Sequence, residues 1–383
     1  MSKSVILLAA LMAALLCWRL TLAPQDPSGS QQVRAQVVAV DDGHLFTQGQ
    51  ARLGSQKLTL VIDSGALAGQ PVAGVINRFS GSMEYDEYYA VGDGVWLAVR
   101  STGAGQLQGQ IVARDRLAPL AGLFGLFALG LLLYAGRVGL RALISFVGSV
   151  VILWQGLIPQ LLAGDHLLLW SGVWVLALVL LILVSVAGFS RKTLAALLGT
   201  LCGLLLTALL GWWAMQALHL DGMTQTLAQP LFFETGMRLD LRQIYCVAII
   251  LGASGAAMDV AMEMAATLEE LHLHRPDLGV AALLRSGFKV GNAVIGTMTT
   301  TLLLAYSGGF LTLMLMFWQR DTSLMQILNL KLVSAELARI LVGSISLVLV
   351  APLTAWIAAL CYCGVKGFQT SDGSLPTEEI RPS

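Results

Sequence analysis

Residues 252–271 read GASGAAMDVAMEMAATLEEL. Asp259 and Glu263 stand four positions apart in an otherwise apolar, small-residue run, a spacing that puts both carboxylates on one face of a helix. Two carboxylates so placed can bind a cation, pass a proton or pair with bases. Centring the apolar run 243–262 on Ala253 puts Asp259 about 9 Å from mid-span, at a rise of about 1.5 Å per residue. An acid in hydrocarbon is costly unless paired or hydrated, so both are expected to point into the protein, at a partner or at water. The expected partners lie at the start of the next apolar run: Lys289, Asn292 and Arg285.

The same neighbourhood carries further polar groups. Gly252 and Gly255 bracket Ala253-Ser254, a poor helix former that either lets another helix approach closely or lets this one break and free its backbone dipoles. Thr297, Thr299, Thr300 and Thr301 offer hydroxyls on the neighbouring run, and Ser307-Gly308-Gly309 is expected to unwind its far part. Glu336, near the start of the last run, joins the same expected path, with Arg339 as a further charge partner. Hydroxyls and acids at membrane depth are what a cation or proton path needs. Threonines can also bond their own helix backbone, which is the alternative reading.

Enzyme chemistry finds little footing. GASG matches the Gly-x-Ser-Gly nucleophile pattern of intramembrane serine proteases, but that mechanism needs a histidine base at the same depth. His44, His166, His219, His272 and His274 all fall outside the apolar centres. Aspartyl proteolysis needs two intramembrane aspartates, and only Asp259 lies inside a span. Glu269, Glu270, His272 and His274 spell a weak metal pattern at a helix rim, where a solvated helix end is the expectation. No phosphate-binding glycine loop and no HExxH occurs, and no cofactor or metal is expected. The five cysteines include none between residues 24 and 116, so no disulfide framework is expected there.

These groups must be held by a membrane scaffold. Hydrophobic residues make up 56% of the chain and charged ones 12%, about half the charge of a soluble domain. With 23 basic against 23 acidic residues, nothing points to nucleic acid. Residues 1–23 read as a signal peptide or, preferably, an uncleaved signal anchor, because the cleavage pattern before Pro24 is poor. Residues 33–114 form short β-type runs (VRAQVVAV, LTLVI, PVAGVI, VWLAVR, QIVA) separated by turn signals at Asp41-Asp42-Gly43 and Gly92-Asp93-Gly94. They predict a small barrel- or sandwich-like β domain of five or six strands. MEYDEYY, residues 83–89, is expected to be a solvated loop within it.

Residues 117–363 predict a transmembrane helical bundle. Seven apolar runs, 117–134, 142–161, 166–188, 194–216, 243–262, 290–316 and 337–363, approach the roughly 20 residues that a bilayer core of about 30 Å requires. With the anchor that makes about eight transmembrane helices, followed by a tail at 364–383. A cytoplasmic N-terminus puts the β domain outside and gathers Arg137, Arg141, Arg191, Lys192, Arg275, Arg285, Lys289 and Lys366 on the cytoplasmic side, with the C-terminus. The expected location is the bacterial cell membrane. Arg141 with Gly148-Ser149, Lys192 with Gly199-Thr200 and Lys289 with Gly296-Thr297 share a spacing that suggests a threefold repeat of hairpins.

GASGAAMDVAMEMAATLEEL, SGFKVGNAVIGTMTTTLLLAYSGG and SAELARILVGSISLVLVAPLTAWIAA together resemble the YibE/F-like family of bacterial membrane proteins. IDSGALAGQPV and VARDRLAPL are similar to that family's extracytoplasmic domain and its entry into the membrane. By this resemblance Gly252, Gly255, Met258, Asp259 and Ala261 occupy one family block. Thr297, Met298, Thr301, Tyr306 and Gly308 fill a second, and Glu336, Arg339, Gly343, Ser344 and Pro352 a third. Ser254 stands where members usually carry an aliphatic residue, and Lys289-Val290-Gly291-Asn292 replaces a common Gly-Arg-Asp. The resemblance implies architecture and little chemistry.

Two functional readings follow. The first is a cation- or proton-coupled transporter or permease whose path Asp259, Glu263 and the threonines line. The alternative is a non-transporting assembly or sensory protein whose β domain binds an envelope component. Expected partners are the lipid bilayer, an inorganic cation or proton, and a second copy or second membrane subunit.

Overall fold

The computed structural model of the protein describes residues 30–49, 51–101, 107–164, 166–320 and 322–363. The expected anchor at 1–23, the tail at 364–383 and Lys366 lie outside the described residues. The described chain divides into two compact units that meet between Tyr134 and Ala135.

The first unit opens with five antiparallel strands: β1 (Gln31–Gln48), β2 (Ala51–Ile62), β3 (Pro71–Ser80), β4 (Gly94–Ser101) and β5 (Leu107–Arg114), in the order β3-β2-β1-β4-β5. Alternation drives it. Val33, Ala35 and Val37 of β1, Leu58, Leu60 and Ile62 of β2, and Val95, Leu97 and Val99 of β4 all turn to one buried core. Register shifts at Val37/Ala39 and Asp41/His44 bend the long β1, as bulges do, and curl the sheet. Its edge strands β3 and β5 consequently line the two sides of one cleft of 780 Å³. Read around the curl, the order β1-β2-β3-β5-β4 is that of an OB-type barrel, so the domain is barrel-like rather than a sandwich.

Two sequence expectations change here. Asp41-Asp42-Gly43 reads as a turn but is a bulge inside β1, because Asp42 is engaged by Gln56 Nε2 at 2.8 Å and by the Tyr88 hydroxyl at 2.9 Å. MEYDEYY is a solvated loop only in its first half: Met83, Glu84 and Tyr85 are exposed, while the rest is tied to the domain. Asp86 accepts from the Ser80 and Gly81 backbone at 2.9 and 2.7 Å, Glu87 pairs with Arg116, and Tyr89 is buried in the barrel core.

Helix α1 (Leu117–Ala163) starts where Asp115, itself 2.8 Å from Arg34, caps the Leu117 amide, and it runs across the unit boundary. The remaining helices are α2 (Leu167–Ala187), α3 (Arg191–Ala217), α4 (Ala228–Glu234), α5 (Leu241–His274), α6 (Val280–Gly309), α7 (Leu311–Gln319), α8 (Leu324–Asn329) and α9 (Lys331–Cys363). Ser190 and Asp240 cap α3 and α5 by accepting from Thr193 and Arg242 amides.

Among the described residues six helices, α1, α2, α3, α5, α6 and α9, are long and apolar enough to cross a membrane. The count falls below the seven apolar runs because 117–134 and 142–161 are counted together as α1, which is two helices joined at a kink; its 47 residues, about 70 Å at about 1.5 Å each, are long enough for two crossings. Its one non-helical residue before Val151 is Gly136, at φ 50° and ψ −118°. The run 290–316 is also shortened: α6 continues through Ser307 and ends at the glycine pair Gly308-Gly309, after which α7 begins.

Small residues set the bundle's centre. A Cβ at Gly199 would lie 2.1 Å from the Thr354 hydroxyl, and one at Gly203 2.1 Å from Val350, so α3 and α9 touch backbone to side chain. Thr207 hydrogen bonds to Ser346 at the next turn. These pairs run α3 antiparallel to α9. The Tyr362 hydroxyl donates to the Ala265 carbonyl and Tyr245 to that of Ala335, which fixes α5 parallel to α9. On α6, Gly287 meets Leu268 and Ala355, and Gly291 meets Met264 and Ala351, so α6 runs antiparallel to both. The suggested repeat finds no common role: Gly199 is jammed against Thr354, whereas Gly296 has nothing within 4 Å.

Candidate functional site

Helix α5 packs through a ridge of alanines. Ala253, Ala257, Ala261 and Ala265, each four residues from the next, are buried, as is Leu268. Asp259 and Glu263 stand on the opposite side of the helix and are exposed, with Gly252, Gly255 and Glu270 on the same strip. The expectation that the acids point into the bundle is therefore corrected. The alanine ridge claims the inward face because small side chains let α3 and α9 approach.

The expected partners do not meet them within the chain. Arg285, Lys289 and Asn292 lie on α6 away from its buried strip of Leu283, Gly287, Gly291 and Val294, and all three are exposed. Among the described residues none of Asp259, Glu263, Arg285 and Lys289 has an ion-pair or side-chain hydrogen-bond partner. The four charges stand free on the outward side of the α5–α6 hairpin.

Helix register places one hydroxyl beside Asp259. A Cβ at Gly252 would come 2.9 Å from the Tyr306 hydroxyl, so those positions face each other across α5 and α6. Seven residues on, Asp259 follows Gly252, and seven residues back, Thr299 precedes Tyr306. In an antiparallel pair both steps keep the face, and the contacts of Gly291 with Met264 and Gly287 with Leu268 put Asp259 level with Gly296, so Thr299 lies across from Asp259 within one turn, about 4.5 Å, of its level. Its Oγ1 is buried and has no hydrogen-bond partner among the described residues. Four other α6 hydroxyls are occupied by their own helix: Thr297 with the Val294 carbonyl at 3.0 Å, Thr300 with Gly296 at 3.4 Å, Thr301 with Thr297 at 3.0 Å and Ser307 with Leu303 at 2.7 Å. Helix α5 is unbroken at Gly252 and Gly255. Gly252 serves close packing, while Gly255 has nothing within 4 Å.

Glu336 and Arg339 form a separate centre. They sit one turn apart on α9, 3.4 Å between Oε1 and Nη2, with side chains only 10% and 20% exposed. The Arg339 guanidinium also lies 5.6 Å from the centre of the Tyr245 ring. Glu336 Oε2 and Arg339 Nε are buried without hydrogen-bond partners. Tyr306 is within electrostatic reach of both charges. Arg339 is thus the partner of Glu336, not of the α5 acids, and Tyr245 lies 14 residues, about 21 Å, along α5 from Asp259. The single path expected from sequence divides into two polar centres with Tyr306 and Thr299 between their levels.

Tyr245 is the residue that sequence reasoning passed over. A tyrosine inside an apolar run brings a polar tip that needs a partner, which was the available signal. At the opposite end of α5, Lys192 pairs with Glu269 at 3.2 Å and His272 stacks on Tyr362. Glu270 takes His274 at 2.9 Å. Among the described residues no group of three His, Cys, Asp or Glu side chains could hold a metal. Ser254 is buried and bonds the Leu251 carbonyl at 2.7 Å.

Two family models match the sequence, the YibE/F-like protein over residues 123–364 and the YibE/F family N-terminal domain over residues 28–113. No curated protein and no solved structure shows a significant match. The chain belongs to the YibE/F-like family.

Proposed function

We propose that this member of the YibE/F-like family is a proton- or small-cation-coupled permease of a bacterial cell membrane, with Asp259 as the carboxylate that takes the ion. The observation that carries this reading is an acid on a membrane-length helix, unpaired among the described residues and placed by register within one turn of the unpartnered hydroxyl of Thr299 on the facing helix. Glu263 lies one turn beyond as a second acceptor. Tyr306 bridges the level between Thr299 and the Glu336–Arg339 pair. In this reading α1 crosses twice, turning at its Gly136 kink, which makes seven crossings after the β domain; the N- and C-termini are then cytoplasmic and the β domain outside, so the buried pair lies near the outer end of the path and Glu263 nearer the inner one. The excess of Arg and Lys flanking the inner helix ends supports that orientation. Nothing in the path requires a covalent step, a cofactor or a metal centre.

The test is proteoliposomes of the full chain loaded with a pH-reporting dye and exposed in turn to sodium, potassium and magnesium gradients. At least one gradient is expected to drive proton movement that Asp259→Asn with Glu263→Gln abolishes. Flux that is absent under every gradient, or equal in the variant, contradicts the proposal.

One observation favours the second reading, a non-transporting assembly or sensory protein. The cleft between β3 and β5 is lined by Asn77, Gln108 and Gln110 and is large enough for a peptide or glycan segment. Loss of a stoichiometric envelope partner on deletion of residues 33–114, with no flux under any gradient, would select it.

A further inference from the structure

The free charges on the α5–α6 hairpin face outward, where a lone copy would meet lipid. Six helices of this chain are of membrane-crossing length and composition, and α5 and α6 are two of them. Lipid tails offer neither counter-charge nor hydrogen bonds, so charged side chains on spanning helices face protein or water. Within the chain no described group partners Asp259, Glu263, Arg285 or Lys289. Something outside the described residues covers this face.

The face is complementary to itself. Acids lie on α5 and bases on α6, at depths that the helix packing fixes. Met264 lies against Gly291 and Leu268 against Gly287, so residues whose numbers sum to 555 share a level. Glu270 therefore shares its level with Arg285, and Glu263 lies three residues, about 4.5 Å, from that of Lys289. A two-fold axis along the membrane normal preserves depth while it sets α5 of one copy against α6 of the other. Each copy then presents its acids to the other's bases, the isologous contact that closed dimers use. Between the charges the strip is small. Gly255 and Gly296 have nothing within 4 Å, which lets a facing helix come close.

We infer that the α5–α6 hairpin is the contact between two copies of this chain, held by Glu263 of each copy against Lys289 of the other. The contact encloses Asp259 and Thr299 of each copy beside the other's α6. It stands independently of whether anything is transported.

The first test leaves every charge in place. Two differently tagged full-length copies, both lacking the native cysteines, are co-expressed, one with Gly255→Cys and the other with Gly296→Cys. A short bismaleimide is then added to native membranes. A cross-linked band carrying both tags is expected at ten or more times the yield of a control pair bearing Leu205→Cys, an exposed site on α3. Yield no higher than the control overturns the inference. The second test is charge exchange with co-purification of the two tags. Glu263→Lys or Lys289→Glu alone is expected to lower the co-purified fraction severalfold, and the double exchange to restore it. Wild-type tags that never co-purify, or that do so equally in all variants, also overturn it. Neither readout depends on flux, so failure here is distinct from failure of the permease reading.

Discussion

Arg339 holds its guanidinium 3.4 Å from the Glu336 carboxylate and over the face of Tyr245, whose own hydroxyl is tied to the Ala335 carbonyl one residue before Glu336. Three polar side chains thereby join α5 to the start of α9 in an otherwise apolar setting. Removing one partner of such a pair strands a buried charge, whereas replacing both by apolar groups does not. Arg339→Ala is therefore expected to destabilise the bundle by about 3–5 kcal/mol. The double variant Glu336→Met with Arg339→Met should recover most of the loss. The midpoint of heat-induced loss of the monodisperse peak in detergent measures both.

The contact of α3 with α9 leaves no room for a methyl group. A Cβ at Gly203 would overlap Val350 at 2.1 Å. Gly203→Ala should lower stability by about 1–3 kcal/mol, the usual range for overpacking. Adding Val350→Ala should return part of it, read by the same heating midpoint. Gly172→Ala on α2, where nothing lies within 4 Å, should leave that midpoint unchanged.

In the β domain, one buried amide organises the barrel. Gln56 is fully buried and donates to Asp42 at 2.8 Å and to the Tyr89 carbonyl at 3.2 Å, while its Oε1 accepts from Asn77 at 3.2 Å and from the Tyr89 amide at 3.1 Å. Gln56→Leu removes all four bonds and leaves buried polar groups unpaired, each worth about 1–3 kcal/mol. Hydrogen exchange on the full chain should show the Tyr89 amide losing most of its protection, with the α5 amides unaffected.

The domain should also fail at high pH in a stated window. Burial, followed by the charge of Glu87 and its hydrogen bond, pushes the Tyr89 hydroxyl up to about 12 from an ordinary value of 10.0. The folded state thus holds this proton where the unfolded state has lost it. The contribution is intact below pH about 10 and is lost as pH rises from about 10 to about 12. Tyr89→Phe should flatten that part of the β domain's stability curve, followed by tryptophan fluorescence of Trp96. An unchanged slope would show that Tyr89 titrates normally.

Much of the scaffold was legible. Alternation in VRAQVVAV and VWLAVR marks inward positions directly, because strand periodicity is local. Apolar length marks the helices for the same reason. The bulge at Asp41-Asp42-Gly43 was not legible, since its composition is that of a turn and only the distant Gln56 and Tyr88 hold it in the strand. The spacing of Asp259 and Glu263 says that they share a face but not which face. The alanine ridge from Ala253 to Ala265 carried that information, and the pull of the acids toward an imagined polar interior concealed it. Glu336 and Arg339 were paired with the wrong centre because parallel packing of α5 and α9 is a long-range property.

The most direct measurement is water access at position 259. Asp259→Cys, in the chain without native cysteines, is treated in sealed vesicles of each orientation with a charged, membrane-impermeant thiol reagent. The account predicts labelling from at least one face, far faster than at Leu205→Cys, with a rate that shifts when a proton or cation gradient is imposed. No labelling from either face, in either orientation and under any gradient, would mean that Asp259 is dry and would contradict the account.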